Sequence, residues 1–467
     1  MRRASPSALA LLVALPLLPA CAPALQDPLP TWQEGPVGTF EAAAVVKVGG
    51  TGARALTGVA ARSLGESVVV GHCSGELLLG TTPTPCAAEE NLFLLELAPA
   101  GGLIASVVTG DLGSVRPRAT AARADGDIVL VGDLAGAFDF GPSRVESVGG
   151  RDAFLANLTG FNPGGEVLGE AKRFGDAGEQ RATSVATMAD GGTILAGMFS
   201  GTIDLGGGSL ASEGDYDVFV ASLNAAGEPR FATRLGGPLA QRAAAIAAGP
   251  DGGAVVVGDF EGSLDPANAA VESAGGSDVF VAALDGAGEA RWMLALGDTG
   301  DEEAAGVIVD PAGQTFVLGS FSGRVGRGAT LAATSAERAA FVATIDSKGA
   351  LVKVRSFGET GFTRARAMAG TPDGGAVIAL DYTGRVEVGE RVFESQGAED
   401  MLVLEIDASL RTLRAGSFGG KYAQHATGLS VGGEGRVFLV GDFEGTLTAG
   451  DDMVSAESFE PFWMRID

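Results

Sequence analysis

The chain has 467 residues, of which 46% are apolar, 19% charged and 6% aromatic, with 73 glycines and a net charge of -26. The apolar share is ample for a packed core and excludes global disorder. The acidic balance suits a soluble surface and argues against nucleic acid and anionic lipid headgroups as partners.

Met1–Ala20 places Arg2 and Arg3 ahead of an apolar run, Ala8–Leu18, and a small residue before Cys21. A charged start, a core too short to cross a bilayer and a cleavage site make a secretory signal. Leu18-Pro19-Ala20-Cys21 resembles a bacterial lipobox, although Pro19 stands where that motif usually has a small residue. The resemblance implies that residues 1–20 are removed as a lipoprotein signal peptide and that Cys21 is lipidated. With Ala22 following, it favours the outer membrane or cell surface. An ordinary secretory signal with a chance cysteine is the alternative. Residues 21–41 are rich in proline and lack a period, which predicts a lipidated cysteine on an extended tether.

From there one hexapeptide recurs seven times. Val257–Gly262 (VGDFEG) returns as VGHCSG, VGDLAG, AGMFSG, LGSFSG, ALDYTG and VGDFEG, closing at Gly75, Gly136, Gly201, Gly262, Gly323, Gly384 and Gly445. The step is 61 residues, broken once by 65, near Asn162-Pro163-Gly164. A fixed long period marks one supersecondary unit repeated. In the unit from Gly236 to Leu296, Ala243–Ala248 predicts a first strand, Ala254–Phe260 a second, Asp278–Leu284 a third and Ala290–Leu296 a fourth, with Asp-Gly turns between. Four antiparallel strands per unit, seven times over, predict an all-β, seven-bladed β-propeller across residues 42–467. The ordered part opens on a fourth-type strand (Ala43–Val48) and stops on a third-type strand (Phe462–Asp467). The N-terminal strand is therefore expected to complete the last blade and close the ring. A right-handed solenoid is the alternative.

Three columns refine the unit. The third strand carries Phe93, Phe154, Phe219, Phe280, Phe341, Leu402 and Trp463, and the second ends in Cys73, Leu134, Phe199, Phe260, Phe321, Tyr382 and Phe443. Both are expected to pack blade on blade. The first strand has a small column, Gly58, Ala119, Ser184, Ala245, Gly306, Ala367 and Gly428, as crowding round an axis demands. The strings D-G-G-x-x-V-V-G-D-F-x-G and D-x-F-V-A-x-L-D resemble the bacterial β-propeller repeat family (SBBP-type) and, more loosely, NHL-type propellers. That resemblance implies the fold and an exported address; the fold alone assigns no activity.

Candidate chemistry is sparse. Arg116, Arg181, Arg242 and Arg364 share a column with Ala55, Glu303 and His425. Asp152, Asp217, Asp278 and Asp400 share another with Asn91, Ala339 and Pro461. The two columns match blade by blade, which predicts the structural ion pairs Arg116–Asp152, Arg181–Asp217, Arg242–Asp278 and Arg364–Asp400. An anion-binding ring of arginines at a channel mouth is the alternative. Asp-Gly pairs and Gly297–Glu303 offer carboxylates to calcium, but EF-hand spacing is missing and turn chemistry explains them, so no metal or other cofactor is expected. Only two histidines, His72 and His425, are available for catalysis or zinc. With Cys21 assigned to lipidation, Cys73 and Cys86 bracket one loop and predict a disulfide in an oxidising compartment, with two free buried thiols as the alternative. The reading is a monomeric, lipid-anchored, non-catalytic platform at the envelope that binds or scaffolds a protein, peptide or glycan partner. The alternative is a propeller hydrolase or lyase acting on extracellular polysaccharide.

Overall fold

In the computed structural model the described residues are 35–467, except 80–81, 111, 163–164, 266–269, 328–329, 359–360 and 450–451. The leader, Cys21 and most of the tether lie outside them. The remainder is all-β, built of many mostly small and mainly antiparallel sheets in a propeller-like arrangement.

The unit predicted around Gly236–Leu296 forms as four neighbouring strands, Gln241–Ala248, Ala254–Phe260, Asp278–Leu284 and Ala290–Leu296, in that spatial order. Alternation of apolar residues with turn chemistry dictates it: Val255 and Val257 face one neighbouring sheet while Val256 and Phe260 face the other. The same set repeats along the chain. Its first strands are Arg54–Ala61, Leu112–Ala122, Gln180–Thr187, Gln241–Ala248, Glu303–Val309, Phe362–Gly370 and Gln424–Val431. Each of these strands packs against the next, and Gln424–Val431 packs against Arg54–Ala61. Ala42–Lys47 pairs antiparallel with Asp452–Ile466, Val46 opposite Trp463, so the last set takes its fourth strand from the N-terminal side.

Core packing follows the aromatic columns. Phe199 meets Phe219 edge-on at 6.3 Å, Phe260 meets Phe280 at 6.3 Å, and Phe321 meets Phe341 at 5.9 Å. Each pair also contacts the preceding unit; Phe260 and Phe280 share a cluster with Val218 and Val220. One column shifts. Phe462, not Trp463, stands opposite Gly441 as Phe280 stands opposite Gly258, and it packs on Phe443 at 6.0 Å. The loop before the last third-type strand is one residue shorter than in the other units, so Glu460, not Pro461, faces Phe443 where Asp278 faces Phe260.

Every first strand also carries a bulge. Its register slips between Leu56 and Gly58, Pro117 and Ala119, Ala182 and Ser184, Ala243 and Ala245, Ala304 and Gly306, Ala365 and Ala367, and Ala426 and Gly428. A one-residue slip turns all preceding side chains to the opposite face. This bulge determines which polar residues meet.

Candidate functional site

Cys73 and Cys86 form the predicted disulfide, with Cα atoms 5.9 Å apart. Its place in the fold is informative. In four other units a serine at the position of Cys86 accepts a hydrogen bond from the glycine closing the hexapeptide: Gly136 to Ser147, Gly201 to Ser212, Gly262 to Ser273 and Gly384 to Ser395, all at 2.8–3.0 Å. In the first unit the covalent bridge replaces that bond. A disulfide fits an oxidising compartment, and no helix among the described residues is long and apolar enough to cross a membrane.

The four predicted ion pairs do not form. Arg116 bonds Glu90, Arg181 bonds Glu179 at 3.3 Å, and Arg364 bonds Glu303 at 2.9 Å. Arg242 is exposed and makes no ion pair among the described residues. The bulge is the reason. Extrapolated back from the pair Ala119–Val131, an unbroken register would set Arg116 opposite Leu134, which in turn faces Asp152. The slip sets Arg116 opposite Asp133 instead, on the other face of the sheet from Asp152. The same slip separates Arg181 from Asp217, Arg242 from Asp278 and Arg364 from Asp400.

The third-strand acids have a different task. Each closes the turn before its own strand by accepting a backbone N–H four residues back: Val148 to Asp152, Glu213 to Asp217, Ala274 to Asp278 and Gln396 to Asp400, at 2.6–2.9 Å. At the start of the next units a polar column missed in the sequence lies buried: Gln180, Gln241, Glu302, Thr363 and Gln424. Gly420 N–H is shared between Asp400 at 3.2 Å and Gln424 at 2.8 Å. At the junction where the acid is Ala339, Thr363 accepts the Ala340 N–H at 2.8 Å. Between the last and first units Glu460 meets Arg54 at 2.6 Å. The 61-residue spacing of that column was the available signal. Its members directly precede the column that carries Arg181, Arg242 and Arg364.

Asp278 and Glu302 are the exceptional junction, two carboxyls nearly excluded from solvent. Gly297 passes between them without a side chain; a Cβ there would overlap both carboxyl groups. Burial, and the Asp278 carboxyl beside it, push Glu302 up to about 8, so the pair holds a proton at neutral pH.

The displaced arginines build a charged belt at the end of the first strands where these polar columns lie. Glu90 receives Arg116 and Ser114, and Arg151 spans to Asp133 at 2.7 Å, which also takes Arg118 at 2.7 Å. Farther round, Glu303 takes Arg338 at 2.8 Å as well as Arg364. Asp259 accepts the Ala304 N–H at 2.7 Å, and burial lifts its carboxyl to about 7. Asp381 accepts the Ala426 N–H at 3.1 Å and the Arg366 guanidinium; burial lifts it to about 6. His425 bonds Asp442 at 2.9 Å, which raises its affinity for a proton, and stacks on Phe459 with centroids 5.4 Å apart. His72 lies 4.0 Å from Glu90, and burial lowers its affinity for a proton. Both histidines therefore belong to this belt, which their different columns concealed. Each carboxylate named here already holds a guanidinium, an imidazole or a backbone donor.

The opposite end of the same strands is open. A cavity of about 580 Å³ is lined chiefly by small residues, among them Ala61, Ala122, Ala369 and Gly432, with Arg62 and Arg123 at its wall. None of its lining residues is Asp or Glu, and no group of three or more potential metal ligands occurs among the described residues.

No family model matches the chain. The regulatory protein FlaEY of Caulobacter vibrioides is 24% identical over 231 residues, 48% of this chain; the matched stretch spans 24% of that protein. Among solved structures, a protein of unknown function from Dyadobacter fermentans aligns over 92% of this chain and 100% of its own, with 12% identity and a TM-score of 0.41. A puromycin hydrolase aligns over 88% of this chain and 54% of its own, with 16% identity and a TM-score of 0.44. A polysaccharide lyase, an ulvan lyase, aligns over 79% of this chain and 97% of its own, with 11% identity and a TM-score of 0.39.

Proposed function

We propose that the chain is a closed seven-bladed β-propeller, tethered through a lipidated Cys21 at the outer membrane or cell surface. It acts as a monomeric, non-catalytic platform that binds protein, peptide or glycan. The contact circuit of first strands and the clasp formed by Ala42–Lys47 support the ring, and the disulfide supports an exported address. The observation that carries the binding role is the contrast between the two ends of the first strands. One end spends its charges, Arg242 apart, on internal pairs; the other offers a cavity of ligand size without converging carboxylates. A screen of the full-length protein against envelope glycans and secreted proteins tests this, with saturable binding and no product formation expected.

The second reading, a polysaccharide hydrolase or lyase, draws on Asp259 and Asp381, whose raised affinities for a proton would suit acid–base work. Release of unsaturated or reducing ends from a polysaccharide, abolished by Asp259→Asn, would establish it and overturn the platform.

A further inference from the structure

We infer that the cavity beside Arg62 and Arg123 is a binding site for a small polyhydroxylated organic anion, of the uronate type. The inference builds on the platform reading and names a ligand class for it. The chain carries 58 acidic residues against 32 basic ones, yet two arginines and no carboxylate line this cavity. Arg62 is engaged by Glu96 through one nitrogen, leaving its Nε and Nη2 buried without a partner. Arg123 makes no ion pair among the described residues. Among the described residues its side chain bonds the Thr193 hydroxyl, through Nη2 at 2.8 Å, and its Nε is buried without a partner. The buried nitrogens are closed to solvent, so the donor left to an oxyanion in the cavity is Arg123 Nη1, on a guanidinium that no carboxylate among the described residues neutralises.

The hydroxyls on the wall specify the rest of the ligand. Thr120 donates to the Val129 carbonyl at 3.0 Å and Thr187 to the Ala122 carbonyl at 2.9 Å. Both therefore turn only lone pairs outward and accept from a ligand hydroxyl. Ser430 accepts the Ala61 N–H at 3.1 Å and keeps its own proton to donate. Methyl groups of Ala61 and Ala122 supply the apolar surface on which a sugar ring lies. The volume, about 580 Å³, falls in the range of small-molecule sites.

Isothermal titration of the full-length protein with glucuronate, glucose, acetate and inorganic phosphate tests the site. Glucuronate is expected to bind; glucose, which lacks the charge, and acetate, which lacks the hydroxyls, are expected to bind at least about tenfold more weakly. Arg123→Gln should weaken glucuronate about tenfold, and Ala122→Leu, which fills the cavity without touching the charge, should abolish binding. Arg242→Gln, on the exposed arginine of the charged belt, should leave it unchanged, and thermal melts confirm that each variant folds. No heat with glucuronate, equal binding of acetate or phosphate, or indifference to Arg123→Gln would each overturn the proposal. Polysaccharide turnover would overturn the platform while leaving the anion titration to stand or fall by itself.

Discussion

Glu460 and Arg54 meet at 2.6 Å across the seam between the last strand set and the first, with side chains 17% and 7% exposed. At three of the corresponding junctions an aspartate and a glutamine are buried instead: Asp152 and Gln180, Asp217 and Gln241, and Asp400 and Gln424. Here the two charges that meet are both largely shut off from water, so losing one partner strands the other. Arg54→Ala should cost about 3 kcal/mol in urea unfolding. The double variant Arg54→Gln/Glu460→Asp, which copies the Asp–Gln junctions, should recover most of it. Equal loss in both would show that the seam depends on something other than this pair.

Glu302 sets a pH dependence. Its ordinary value is 4.5 and burial lifts it to about 8 in the fold, so the folded protein holds the proton more tightly than the unfolded chain. The stability it contributes is full below about pH 4.5 and is lost as pH rises through about 8. Glu302→Gln supplies the neutral group found at Gln180, Gln241 and Gln424 and removes the titration. Wild type and variant should therefore match near pH 4.5, and the variant should be more stable near pH 8 by on the order of 3 kcal/mol. Parallel melting curves from pH 5 to 9 would contradict it.

The four strands and the disulfide were legible because each rests on a pattern local to one strand or one loop, and the N-terminal clasp because the 61-residue repeat shows which strand the last set lacks. The salt bridges were not, for two physical reasons. Backbone bulges leave no mark in a run such as Arg242–Ala248, where alanines fill both faces. The match between the arginine and aspartate columns also depended on Pro461 standing for a missing acid, whereas the shortened loop brings Glu460 to that place. Gln180, Gln241 and Gln424 were visible at the repeat spacing, but a glutamine declares its role only once its buried partner is known.

Reducing the Cys73–Cys86 bridge opens a loop of sequence separation 13 and should lower stability by about 2–3 kcal/mol. Cys73→Phe with Cys86→Ser rebuilds the phenylalanine and serine that Phe260 and Ser273 provide in the fourth unit. This variant should regain at least about 0.5–1.5 kcal/mol through the restored hydrogen bond to Gly75. Guanidinium melts with and without reductant measure both.

Removing Ala42–Lys47 bares the edge of Asp452–Ile466, including Trp463 and Phe462. An open, apolar strand edge pairs with whatever is offered. Light scattering should show concentration-dependent association of the truncated protein, reversed by adding the missing strand as a peptide.

The clasp also imposes an order on events. Val46 precedes its partner Trp463 by 417 residues, so its strand waits unpaired while the strand sets between them are made. Pairing across so long a loop carries the largest closure entropy the chain can offer, which delays the final step relative to the local hairpins. Until then Ala42–Lys47 keeps an unpaired strand edge. Its exposure to proteases and to misassembly lasts until Asp452–Ile466 has been made and has paired with it.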